Sequence, residues 1–405
     1  MRLMRETISD SGLSGLRISG FSRSLALIFI LLAAGLIYSA CGSGTLKAEL
    51  DTVSLQDISG REKYLQRENG GVPIPANGAY WGTFREPSYL SGRAGDKRAE
   101  MIRAECQIGR NYAIDRQFYR WGQVLPSDYD KWTAEQGRIP MISIAARKKS
   151  DGSIIKWADI AVGREDGYII QLADNLKAWG KSAFFIFHHE PDHDTALFGS
   201  TADYRAAWKH IRSVFDSKGV RNLSYTWVMM PYVFKTNPGR AAEFYPGDDV
   251  IDWIASDPYN SFKNGNWYSL AHQIQAWYDW ATMYKTGERN KPLALAEWGS
   301  KEDPADPMRK ANWFKEALGD AQARFPAIKA YVYFDANKLN DWRIDTSRGS
   351  LEAFIEMGRH GFFGQASVEK KCEVDAAPAG SGSGQMESYR TRPNRIPYLL
   401  QGESR

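Results

Sequence analysis

The stretch Ala183-Phe184-Phe185-Ile186-Phe187-His188-His189-Glu190 is an unbroken apolar run closed by three polar, titratable residues. Short apolar runs without alternation suit parallel strands, which are buried on both faces. Seven similar runs lie around it: Ala79–Phe84, Asn111–Ile114, Ile139–Ala145, Leu223–Met230, Val250–Asp257, Leu293–Trp298 and Ile328–Phe334. Between them the apolar residues recur at steps of three and four, as in Asp203-Tyr204-Arg205-Ala206-Ala207-Trp208-Lys209-His210-Ile211, which is helical spacing. Eight strand–helix units within residues 79–364 have the size of one domain, an α/β protein with a single (β/α)8 TIM barrel. A doubly wound sheet is the structural rival, and it rarely needs eight such evenly spaced units.

The flanks read differently. Arg2, Arg5, Arg17 and Arg23 precede the apolar run Leu25 to Ile37. That run is too short to cross a bilayer as a helix, which needs about 20 residues. A basic region, a short apolar region and small residues at its end form an export signal. Ser39-Ala40-Cys41-Gly42-Ser43-Gly44 resembles a bacterial lipoprotein cleavage site, which makes Cys41 the expected lipidation position. Tyr38 departs from that pattern, where Leu is usual. The expected organisation is an export segment 1–41, a tether and lead-in 42–78, the barrel 79–364, and a flexible Gly/Ser-containing basic tail 365–405. The expected location is outside the cytoplasm, facing periplasm or exterior, held to the cell membrane by a lipid or signal anchor.

In barrels of this kind chemistry sits at the C-terminal ends of the strands. Two runs end in Glu: the fourth at Glu190 and the seventh, Leu293-Ala294-Leu295-Ala296-Glu297, at Glu297. Strands four and seven lie on opposite sides of an eight-stranded ring, so both carboxyls can face one pocket. Such a pair is what glycoside hydrolysis requires, one as acid/base and one as nucleophile. A single Glu there is equally explained by an ion pair at the rim. Two at the fourth and seventh strand ends favour catalysis.

These stretches resemble glycoside hydrolase family 26, a group of retaining (β/α)8 enzymes that holds β-mannanases and some β-glucan and xylan hydrolases. His189-Glu190 looks like the family's acid/base pair, and Tyr245 through Asp257-Pro258-Tyr259 looks like its sixth strand. The spacing from Glu190 to Glu297 is similar to the family's. The resemblance implies Glu190 as acid/base, Glu297 as nucleophile and a hydrogen bond from Tyr259 to Glu297. Pro191-Asp192 stands where the family usually has Met-Asn, and its mannan-binding loops are not recognisable. The polysaccharide therefore stays open among β-mannan, β-glucan, xylan and an exopolysaccharide.

Further substrate contacts are expected from His189, Asp192, Tyr259 and Asp257, and from Trp81, Trp121, Trp298 and Trp342 as stacking platforms. Core packing explains each Trp as well. His188 should point the opposite way from its neighbour by strand alternation. His189-Glu190-Pro191-Asp192-His193 also spells the zinc-peptidase motif, which needs a helix. The aromatic run before it and Pro191 inside it oppose a helix. A barrel that binds carbohydrate at the cell surface without cleaving it is the other alternative.

Composition sets the outer limits. The chain has 405 residues, 43% hydrophobic and 25% charged, the balance of a protein with a real core. A net charge of +4 is too small for its length to suggest a nucleic-acid partner. Three cysteines make no disulfide framework, and whether Cys106 and Cys372 pair stays open. No cofactor or metal is expected, and the protein is expected to be a monomer.

Overall fold

The computed structural model describes residues 70–87, 96–262, 265–283 and 291–364. Cys41, the export segment and the basic tail lie outside the described residues. Eight parallel strands form the barrel: β1 (Tyr80–Arg85), β2 (Ile114–Trp121), β3 (Ile139–Lys148), β4 (Ala183–Phe187), β5 (Leu223–Met229), β6 (Trp253–Ser256), β7 (Leu293–Ser300) and β8 (Ile328–Asp335). Each strand pairs with the next, β8 pairs with β1, and the β6–β7 pairing closes the ring. A two-residue strand, Tyr259–Asn260, continues beside the end of β7.

Side-chain alternation divides the apolar residues into two clusters. Ile114, Met141, Phe184, Ile186, Val228, Trp253, Ala255, Ala294, Ala296, Ala330 and Val332 pack with Val72 as one cluster, the barrel interior. The larger cluster lies between sheet and helices. Helix Thr201–Ser217 shows why: Tyr204, Ala207, Trp208, Ile211 and Phe215 are buried on one stripe, and Ser200 with Asp203 closes its N-terminus in a capping box. Gly82 is needed where β1 meets its neighbours, since a Cβ there would lie 2.7 Å from the Ile114 Cβ.

Two boundaries differ from the sequence reading. The second strand is Ile114–Trp121, not Asn111–Ile114, because it carries Asp115, Arg116, Gln117 and Arg120 and so lacks an apolar run. The lead-in is also partly structural. Val72 belongs to the interior cluster and its N–H donates to Ser224 Oγ, so residues 70–78 are part of the packed domain. Cys106 is disulfide-bonded, with its partner outside the described residues. Among the described residues no helix is long and apolar enough to cross a membrane.

Candidate active site

A register shift between Leu295 and Trp298 breaks the alternation of β7, so Glu297 follows Ala294 and Ala296 into the barrel mouth while Trp298 joins Leu293 and Leu295 on the outer face. Glu297 is 6% exposed, and both its oxygens are held. Arg116 Nη2 donates to Oε1 at 2.7 Å, and the Tyr259 hydroxyl donates to Oε2 at 2.5 Å. His189 Nε2 lies 3.9 Å from Oε1. A buried carboxylate is tolerable only with such charge-assisted partners.

Glu190 comes to the same pocket by an irregular route. β4 ends at Phe187, and both His188 and Glu190 adopt left-handed backbone, with φ of 46° and 53°. Each such residue costs about 1–3 kcal/mol, and such strain clusters at functional sites. The turn is pinned on both sides: His188 N–H donates to Ile144 O at 2.8 Å, and Glu190 N–H donates to Val228 O at 3.2 Å. Burial raises the Glu190 pKa well above the usual carboxyl range, and the Glu297 charge raises it further. Glu190 is therefore poised to carry a proton while Glu297 is held by two donors, the division of labour that splits acid from base.

His189 shares its Nδ1 with Ser143 Oγ at 3.0 Å. Burial is the main reason its pKa falls to about 4, so the ring stays neutral at neutral pH. His188 turns into the helical layer, where its Nδ1 accepts from Ala146 N–H and Trp157 Nε1 and its Nε2 meets Asp194.

The structure brings His189, Tyr259, Glu190 and Glu297 together, sets Asp257 beside Arg116, and uses the tryptophan candidates in packing. Trp81 and Trp298 are 0% exposed; Trp81 packs on Phe354 and Phe363, and Trp298 stacks on Trp313. Neither has a face left for sugar. Trp121 is buried against Tyr168 and donates to Glu165. Trp342 is also buried, with its ring 4.7 Å from that of Tyr259, so it backs the tyrosine rather than forming an open platform. Tyr333 Oη holds the Trp342 carbonyl at 2.7 Å, and Lys310 Nζ holds the next one at 2.6 Å. The Asp192 side chain is only 3% exposed and accepts from Tyr232. Asp257 is fully buried, 3.9 Å from Arg116, with no hydrogen-bond partner for either oxygen among the described residues.

The zinc-motif segment is not a helix. Pro191–His193 is one 3-10 turn, and His189 faces Glu297 while His193 meets Tyr232. The two rings do not share a face, as two ligands of one zinc must.

Sequence reasoning missed Arg116. Its signal was a charged residue between Ile114 and Phe118 in a stretch that alternates around it, which a search for apolar runs passes over.

Comparison with solved structures finds the same architecture. A GH26 β-mannanase from Bacteroides ovatus, BoMan26A, aligns with TM-score 0.53 at 17% identity, over 74% of this chain and 94% of that one. The chain shares the fold of that enzyme. An endo-β-1,4-mannanase double mutant from Cellulomonas fimi aligns with TM-score 0.52 at 16% identity, over 70% and 71% of the two chains. Among curated proteins, Endoglucanase H of Acetivibrio thermocellus is 29% identical over 263 residues, 61% of this chain and 27% of that protein. Beta-1,3-xylanase TXYA of a Vibrio species is 25% identical over 245 residues, 54% of this chain and 50% of that protein. The chain thus spans between about a quarter and a half of the length of these curated relatives. No family model matches it.

Proposed function

We propose that the protein is a retaining endo-type β-glycoside hydrolase that cleaves a polysaccharide by double displacement. The observation that carries this reading is the asymmetry of the two carboxyls. Glu297 is gripped by Arg116 and Tyr259, while Glu190 is pushed toward its protonated form. In the first step the Glu297 carboxylate attacks the anomeric carbon. Glu190 gives its proton to the departing glycosidic oxygen, and a glycosyl ester on Glu297 results. In the second, Glu190 as carboxylate takes a proton from water, and the resulting hydroxide displaces Glu297. Tyr259 and Arg116 orient the Glu297 carboxylate and take up its charge when the ester breaks.

The named relatives support an endo-acting polysaccharide hydrolase, and their substrates differ, so β-mannan, β-glucan, xylan and an exopolysaccharide are the candidates. Export to the cell surface through the basic and apolar N-terminus, with lipidation at Cys41, belongs to the same proposal. The disulfide at Cys106 suits an oxidising compartment. A monomer is proposed, with the polysaccharide as its partner.

The test is release of reducing ends from a panel of these polymers in the presence of EDTA. Cleavage of one of them, abolished in Glu297→Ala, supports the proposal; cleavage that survives Glu297→Ala places the chemistry elsewhere.

A further inference from the structure

Beside the two carboxyls a cavity of about 280 Å³ is lined by Phe118, Tyr119, Arg120, Ser143, Ala145 and His189. The sheet builds it in layers. Arg116 is level with Met141, Phe118 with Ser143 and Arg120 with Ala145. The inward side chains of β2 therefore climb from Arg116 at Glu297, through an aromatic ring, to a second guanidinium at the mouth.

Arg120 differs from Arg116 in one respect. It is half-buried, yet it has no carboxylate within ion-pair reach among the described residues. Its backbone is fixed on both sides: its N–H donates to Gln123 Oε1 at 2.7 Å, and its carbonyl accepts from Gln123 N–H at 3.2 Å. A register shift follows directly at Trp121, and such bulges re-aim side chains at barrel rims. The neighbouring strand end adds Arg147, Lys148 and Lys149. Arg147 is committed to Gly152 O, and the two lysines are exposed. A half-buried guanidinium on a fixed backbone, without an acid partner among the described residues, is a fork for a planar anion.

Resting on the hydrolase reading above, the geometry points to a substrate that carries carboxylates. One sugar ring stacks on Phe118 in this cavity, its hydroxyls reach Ser143 and His189, and its carboxylate pairs with Arg120. The class is an acidic polysaccharide, bearing uronate or pyruvate groups, rather than a neutral mannan or glucan.

The experiment uses full-length Glu297→Ala, which binds without turnover, in affinity electrophoresis. The probes are glucuronoxylan and a pyruvate-bearing bacterial exopolysaccharide, each native and carboxyl-reduced. Retardation by at least one native polymer should exceed that by its reduced form about tenfold in affinity, the scale of a charge-assisted contact. Adding Arg120→Met should abolish the difference, and Arg120→Lys should keep part of it. An unchanged melting temperature shows that the variants fold. Equal retardation by native and reduced polymers, no retardation by any, or a preference that survives Arg120→Met overturns the inference. Hydrolysis by the wild-type chain separates the two readings. Acid-selective binding without cleavage keeps the cavity and removes the hydrolase, whereas cleavage of neutral polymers without acid preference does the reverse.

Discussion

A Cβ on Gly299 would lie 3.3 Å from the Tyr259 ring, so the glycine two residues past Glu297 sets how closely the phenol approaches it. Tyr259 lies between this bare stretch of β7 and Trp342 and donates to Glu297 from there. Gly299→Ala should push the ring by a few tenths of an ångström and lower kcat about fivefold with KM nearly unchanged, a loss of about 1 kcal/mol. Steady-state kinetics in wild-type and Tyr259→Phe backgrounds check this. The effect should disappear once the hydroxyl is gone, and a full effect in Tyr259→Phe would show that the glycine acts by another route.

Arg116 is expected to be indispensable. It is fully buried, pairs with Glu297 and lies beside Asp257. Removing one partner of a buried pair leaves an uncompensated charge, which destabilises by about 3–5 kcal/mol. Arg116→Met should therefore lower both the melting temperature and kcat. Arg116→Lys should rescue stability better than rate, because an ammonium cannot keep the guanidinium geometry. Equal rates in Arg116→Lys and wild type would contradict this role.

The alkaline limb of the pH–rate profile should belong to Glu190, which must be protonated for the first step. Burial raises its pKa, the Glu297 charge raises it further, and Arg116 opposes both. Loss of Arg116 should thus move the limb to higher pH in any variant active enough to measure. Glu190→Gln removes a carboxyl that folding prefers protonated. The ionised form weakens the fold above its unfolded pKa, so the amide should raise the melting temperature by about 2 °C at pH 7 and by nothing at pH 3.5. Calorimetry at the two pH values decides; a gain independent of pH would exclude ionisation as its cause.

Leaving groups separate the two carboxyls. Glu190→Ala should lose polysaccharide hydrolysis yet keep activity on aryl glycosides, whose departing phenolate needs little protonation. Glu297→Ala should lose both. Equal losses on both substrate types in Glu190→Ala would remove its role as acid.

Much of this was legible in the sequence, for reasons that particular residues show. Apolar strands such as Ala183–Phe187 announce a parallel sheet because both faces are buried, and the eight runs lead to the barrel observed. The hydrogen bond from Tyr259 to Glu297 is present as the resemblance implied. The polar strand β2 was misplaced because its inward positions hold Arg116 and Arg120, where strands such as β4, β7 and β8 hold Phe184, Ile186, Ala294, Ala296, Ala330 and Val332. That error hid both guanidiniums. The tryptophans failed for a different reason. Trp298 follows Glu297 in sequence, yet the register shift between Leu295 and Trp298 turns it to the outer face, so proximity along a strand is a poor guide to proximity in a cleft. Residue type alone cannot separate a sugar platform from core; the outward face of Trp298 and the packing of Trp81 on Phe354 and Phe363 do.

The most direct test of double displacement is proton NMR of the first product released from whichever polymer is cleaved. Two successive inversions, through a glycosyl ester on Glu297, should give the β-anomer first, with the α-anomer growing in only as mutarotation proceeds. An α-anomer released first would mean a single displacement by water and would contradict the role of Glu297 as nucleophile.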